Sequence, residues 1–96
     1  MAKYKLSNEA KDDLIRIYHY GVKNFGINQA DKYYNALFKS FDTIAQRPFS
    51  YESINHIKVG YRRCVYGSDS IYFRIQNNTV EIMTIIGKQD LENILL

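Results

Sequence analysis

Ninety-six residues leave room for a single hydrophobic core, so residues 1–96 are read as one domain. Hydrophobic residues are 46% and charged residues 24%, with a formal charge of +3, which fits a soluble globular chain and excludes a disordered one. One Cys, one Pro and five Gly exclude a disulfide scaffold, a structural zinc site and collagen.

The opening Met1-Ala2-Lys3-Tyr4-Lys5-Leu6 has no apolar stretch of the kind a signal peptide needs. No later window approaches the ~18 uninterrupted apolar residues of a membrane helix. Lys3 to Leu6 reads as a short strand, and Ser7-Asn8 supply helix N-caps. Ala10, Leu14, Ile17, Tyr18, Gly21 and Phe25 then recur at spacings of three and four, with Lys11, Asp12, Arg16, His19 and Lys23 on the opposite side. That spacing predicts an amphipathic helix over 8–25, stopped at Gly26. After a link of Gly26-Ile27-Asn28, a second helix shows an apolar face of Ala30, Tyr33, Tyr34, Leu37, Phe38, Phe41, Ile44 and Ala45. Arg47-Pro48 ends it, because a residue before proline avoids the helical region. So short a connection lays the two helices antiparallel.

Phe49 to His56 has no period and reads as the longest loop. Tyr61 to Tyr66 alternates, Gly67-Ser68-Asp69 reads as a turn, Ser70 to Gln76 alternates again, Asn77-Asn78 marks a two-residue hairpin, and Thr79 to Ile86 follows. Gly87-Lys88-Gln89 breaks the run before a short, mostly apolar tail. The order predicts an α+β fold: an N-terminal strand, an antiparallel helical hairpin packed on a mainly antiparallel sheet of three to four strands, and the tail.

A two-residue loop at Asn77-Asn78 pairs Ile75 with Val80, Arg74 with Glu81, Phe73 with Ile82 and Tyr72 with Met83. One sheet face then carries Ile71, Phe73, Ile75, Val80, Ile82 and Ile86 as core, and the other carries Tyr72, Arg74, Glu81, Met83 and Ile85. A three-residue turn at 67–69 adds Arg62, Cys64 and Tyr66 to that second face, whereas a slip of one adds Tyr61, Arg63 and Val65. Tyr72, Met83, Ile85 and the tail residues Leu91, Ile94, Leu95 and Leu96 are greasy for a bare surface. They either pack on each other or are covered by a protein partner. Nine Tyr in the chain suit a surface that a partner partly buries.

The chemistry-bearing residues are few. Two His, one Cys and no acidic pair at ligand spacing give no metal site or triad, and the scattered glycines give no phosphate loop. Cys64 reads as a structural thiol in a reducing compartment, which together with the absent export signal points to the cytoplasm. Lys58, Arg62, Arg63 and Arg74 face only Asp69 across their stretch. That basic hairpin is either solvated, with Glu81 neutralising Arg74, or turned toward nucleic acid or an acidic protein surface.

Residues along nearly the whole chain carry a resemblance. They are Tyr4-Lys5-Leu6, the spaced run Ala10, Asp13, Leu14 and Ile17, Phe25-Gly26, Gln29-Ala30 with Tyr33, and Arg47-Pro48. They continue with Gly60-Tyr61-Arg62-Arg63, Gly67-Ser68, Tyr72-Phe73-Arg74 and Glu81-Ile82-Met83-Thr84-Ile85-Ile86. In order and spacing the chain resembles the ParE-type toxins of the RelE/ParE superfamily, the toxic half of type II toxin–antitoxin modules. The resemblance implies a ParD-like antitoxin that wraps the toxin, and DNA gyrase as target, trapped on cleaved DNA so that replication stops. It implies a protein inhibitor rather than an enzyme, with no cofactor, no metal and no membrane, and with DNA met only through gyrase or a toxin–antitoxin repressor complex. Under it Arg62, Arg63 and Arg74 face the target, while Tyr72, Met83, Ile85, Leu91, Ile94 and Leu95 meet antitoxin or target. The alternatives are a RelE-type ribosome-dependent mRNA endonuclease using the same basic face, and an inert relative that only binds an antitoxin. No C-terminal Tyr or His of the nuclease branch is present, which favours the gyrase branch. One departure stands at Gly87-Lys88-Gln89, where many relatives end the last strand in a histidine.

Overall fold

A computed structural model describes residues 3–87. The tail residues Leu91, Ile94, Leu95 and Leu96 lie outside the described residues, as do Lys88 and Gln89 of the departing segment. Strand β1 (Tyr4–Leu6) runs into helix α1 (Asn8–Phe25) through Ser7, whose hydroxyl accepts the Ala10 N–H at 3.0 Å. That capping bond satisfies one of the donors a helix start leaves open. Gly26, at φ +87°, ends α1 and begins α2 (Ile27–Gln46) by itself. The expected three-residue link therefore shortens to one residue, because a glycine in the left-handed region reverses the chain alone. The helices pair as an antiparallel hairpin: Tyr18 donates to Asp31 at 2.6 Å and meets the Tyr34 ring edge-on at 5.3 Å, while a Cβ on Gly21 would stand 3.2 Å from that of Ala30.

Arg47, outside the helical region at φ −138° and ψ 58°, ends α2 before Pro48, whose ring disfavours a helical residue ahead of it, and Pro48–Ser50 form a 3₁₀ turn. The stretch expected as loop then holds a two-residue strand, β2 (Glu52–Ser53). Strands β3 (Tyr61–Tyr66), β4 (Asp69–Gln76) and β5 (Thr79–Gly87) complete a five-stranded sheet of order β1-β5-β4-β3-β2. All pairs are antiparallel except β1 with β5. Strand β2 is too short to show a period, which is why the sheet is wider than the alternation predicts.

Two register details sort the side chains. Asn77 and Asn78, at φ 53° and 58°, form the two-residue turn expected between β4 and β5. Both central residues at positive φ is the type I′ geometry whose twist matches the strands. The pairs Ile75–Val80, Arg74–Glu81 and Phe73–Ile82 stand as the turn dictates. Beyond them a β-bulge sets both Met83 and Thr84 against Tyr72, and Ile71 then pairs with Ile85. The bulge exchanges two residues relative to strict alternation. Ile85 is fully buried in the core, and Ile86, expected in the core, lies on the other face.

Helix α1 holds that bulge in place. Strand β1 covers β5 only as far as Ile82, so later backbone groups on that edge need other partners. Ser7 N–H donates to the Ile82 carbonyl and its hydroxyl to the Met83 carbonyl, at 3.0 and 2.7 Å. Asp13 accepts from Ile85 N–H at 2.9 Å and from the Thr84 hydroxyl at 2.7 Å, and Arg16 donates to the Ile85 carbonyl at 3.2 Å. The core between hairpin and sheet comprises Leu14, Ile17, Leu37, Phe41 and Ile44 against Ile71, Phe73, Val80, Ile82 and Ile85.

Candidate functional site

The helices cover one sheet face, and the opposite face is the candidate site. At the β3–β4 connection Tyr66 pairs with Asp69, so the turn has two residues, with Gly67 at φ +57°. Glycine at the first position of a two-residue turn is what a type II′ geometry needs. The three-residue turn is thereby corrected, and with it the faces of β3. Tyr61, Arg63 and Val65 join Tyr72 and Arg74 on the open face, while Cys64 opposite Ile71 and Arg62 opposite Phe73 point to the helix side.

Arg62 is thus separated from Arg63 and Arg74. Its guanidinium donates to the Tyr51 carbonyl at 2.7 Å and lies 5.1 Å from the centre of the Phe49 ring, bracing the 3₁₀ turn. Ile85, sealed in the core by the bulge, also leaves the open face, and Ile86 takes its place. Of the expected site residues within 3–87, the structure brings together Arg63, Tyr72, Arg74 and Met83.

Tyrosines and arginines alternate across this face, Tyr61 opposite Arg74 and Arg63 opposite Tyr72. Each arginine has an acidic neighbour. Arg63 Nε donates to Glu52 at 2.7 Å, and Arg74 Nε donates to Glu81 at 2.6 Å. Glu81 also holds Lys5 at 3.1 Å, and Arg74, then Lys5, keep its carboxyl below the usual carboxylate range. Lys58 Nζ sits 4.7 Å from the centre of the Tyr61 ring. The pairs orient the guanidinium planes without removing them from solvent, since both arginine side chains remain over a third exposed.

Beside this checkerboard lies an apolar groove of 290 Å³. Its walls are Ile54, Ile57, Tyr61, Tyr72, Met83 and Ile86, with Lys58 and Glu9 at its borders. The β2–β3 loop forms one wall and is tied by its own bonds: Ile57 and Lys58 N–H donate to the Ile54 carbonyl at 2.8 Å, and Gly60 N–H donates to the Asn55 side chain at 2.6 Å. On that loop Ile57 is 72% and Val59 83% exposed, so the loop offers aliphatic side chains from a fixed backbone.

Sequence reasoning missed Ile54, Ile57 and Ile86, and reached Tyr61 only through the alternative register slipped by one, which is the one observed. One signal was available for β3: unpaired Cys is among the most buried residue types, and placing Cys64 inward puts Arg63 outward and Arg62 inward. Nothing in the sequence distinguishes Ile85 from Ile86. Cys64 itself is buried, and burial pushes its thiol pKa up, the reverse of what a nucleophile needs. Among the described residues no three of His, Cys, Asp and Glu stand together as metal ligands, and no helix is long and apolar enough to cross a membrane.

Comparison with known proteins places this geometry. The family model described as ParE toxin of the type II toxin–antitoxin system parDE matches residues 4–91. The chain is 34% identical over 86 residues to the toxin ParE1 of Caulobacter vibrioides, covering 90% of this chain and 88% of that one. It is 26% identical over 89 residues to the toxin ParE1 of Mycobacterium tuberculosis, covering 92% and 91%. In fold it is similar to a chain of the solved chromosomal ParDE system from P. aeruginosa, with a TM-score of 0.78 at 21% identity, over 91% of this chain and 96% of that one.

Proposed function

The chain belongs to the ParE toxins of type II toxin–antitoxin systems, and from that membership we propose that it arrests growth by inhibiting DNA gyrase and is silenced by a ParD-like antitoxin. In this reading it is a protein inhibitor acting in the cytoplasm and not an enzyme. DNA is met through gyrase or through a toxin–antitoxin repressor complex. The observation that carries the proposal is the open sheet face, where an apolar groove runs beside oriented arginines. Helices shield the other face completely enough to form the core, so a partner that wraps the toxin gains most by covering this one. The groove residues Tyr72, Met83 and Ile86 are its apolar anchors. Arg63 and Arg74 are its target-facing cations, and Arg63 can exchange its exposed Glu52 neighbour for a carboxylate on gyrase. Arg62 drops out of that set because its guanidinium is committed to Tyr51 and Phe49.

Inducing the chain in growing bacteria tests the reading. Arrest is expected, with relief when a ParD-like antitoxin encoded alongside it is co-expressed. Met83→Asp with Ile86→Asp should abolish that relief or the toxicity itself, because each puts a charge into the groove. Unchanged growth on induction of folded protein, or full antitoxin rescue of the toxic double variant, would contradict the proposal.

A further inference from the structure

Strand β3 is covered along only part of its outer edge. Strand β2 pairs Ser53 with Arg62 and Glu52 with Arg63, and the Ile54 N–H reaches the Tyr61 carbonyl at 2.9 Å. The residue that would continue this register opposite Val65 is Ser50, which belongs to the 3₁₀ turn and gives its N–H to the Arg47 carbonyl. Residues along a strand bond alternately to its two neighbours. Tyr66 and Asp69 flank the two-residue turn as a pair, which aims the N–H and C=O of Tyr66, Cys64 and Arg62 at β4. Those of Tyr61, Arg63 and Val65 aim outward. Tyr61 and Arg63 meet the β2 segment, whereas Val65 meets no backbone partner among the described residues.

Proteins usually guard such an edge with charge, proline or a covering segment. Here the bare stretch is Cys64-Val65-Tyr66, and Val65 is 63% exposed. Beside it a trough of 440 Å³ runs between β3 and α2, whose wall is formed by Ala36, Lys39, Ser40 and Thr43. The Ser40 and Thr43 hydroxyls donate to the Ala36 and Lys39 carbonyls, both at 3.1 Å, so they are spent within the helix. Lys39 is exposed and is the one charged residue lining the trough, and no acid lines it. An extended segment laid along β3 would find a backbone donor and acceptor at Val65, a recess for alternate side chains, and a cation at its border. Charge complementarity with Lys39 then favours a carboxylate on the segment.

We propose that the bare edge of β3 at Val65 is a docking site for an extended, acidic segment of a partner protein, which adds to the sheet as a strand and lays side chains into the trough beside Lys39. The site stands apart from the apolar groove and does not depend on the gyrase reading.

The probe is a capped peptide, Glu-Val-Thr-Val-Glu, titrated into the isotope-labelled protein, with amide shifts and hydrogen exchange as readouts. Saturable shifts centred on Cys64, Val65 and Tyr66, with slowed exchange of the Val65 N–H, are expected. Methylating the backbone nitrogens of the three central peptide residues should weaken binding about tenfold, the worth of one hydrogen bond. A peptide with lysine at both ends should bind about fivefold more weakly than the acidic one. Lys39→Glu, at an exposed helix position that leaves the fold intact, should cancel that preference. No saturable shift, undiminished binding of the methylated peptide, or equal affinity for acidic and basic peptides would overturn the proposal. So would shifts centred on Tyr72 and Met83, which would assign the peptide to the apolar groove. Val65 shifts that grow with protein concentration alone would overturn it too, by giving the edge to a second copy of the chain.

Discussion

At the scale of single residues, Asp13 does more than its position on a helix face announces. From α1 it accepts the Ile85 N–H and the Thr84 hydroxyl and pairs with Arg16, whose guanidinium reaches the Ile85 carbonyl. These bonds replace the strand that β1 fails to supply beyond Ile82, and so fix the bulge that sends Ile85 inward and Ile86 outward. Asp13→Ala leaves a part-buried backbone donor without its acceptor, which costs about 1–3 kcal/mol. Chemical denaturation should show a lowered midpoint with an unchanged slope, and a loss below about 0.5 kcal/mol would mean water replaces the carboxylate freely. This residue scale is where the sequence was least legible. Adjacent isoleucines give no clue to which one faces the core, and the bulge rests on a contact 72 residues apart in the chain.

Elements were far easier to read, because the signals that start and stop them are local. Ser7 caps α1, Gly26 joins the helices, Pro48 ends α2, and Asn77-Asn78 turn the last hairpin, each through the backbone preference of its own residue type. The β3–β4 turn was the exception, since Asp69 looks like a turn residue and is in fact a buried strand residue tied to Tyr33. Two glycines separate backbone preference from packing. Gly60 at φ +84° has open space around an added Cβ, whereas Gly67 at φ +57° would place one 2.8 Å from the Tyr33 hydroxyl. Gly60→Ala should cost roughly 1–2 kcal/mol, the left-handed penalty alone. Gly67→Ala must add the displacement of Tyr33, so its thermal midpoint should fall further. Equal losses would show that Tyr33 moves aside without cost.

Taken as a whole, the described residues form a two-layer α+β fold, with both of their α-helices on one side of the sheet. Antiparallel sheets commonly leave one face to water, and that face is then polar. Here it carries Tyr72, Met83 and Ile86 beside a loop exposing Ile57 and Val59, next to Arg63 and Arg74. The architecture and the existence of a basic, partly apolar second face follow from hairpin chemistry and alternation. Which arginines occupy it follows only from the turn length at Gly67-Ser68, and the groove wall comes from a loop with no period to read. The core lies on the covered face and the proposed function uses the other, so changes at Arg63 and Arg74 should alter activity with little effect on folding. The most direct measurement is a plasmid supercoiling assay with purified gyrase, ATP and the folded chain, run beside an Arg63→Glu, Arg74→Glu double variant. Blocked supercoiling with accumulation of protein-linked linear DNA, lost in the double variant, is the expected result. Gyrase that works undisturbed at toxin concentrations that still arrest cells would contradict the gyrase assignment and direct attention to cleavage of message on the ribosome.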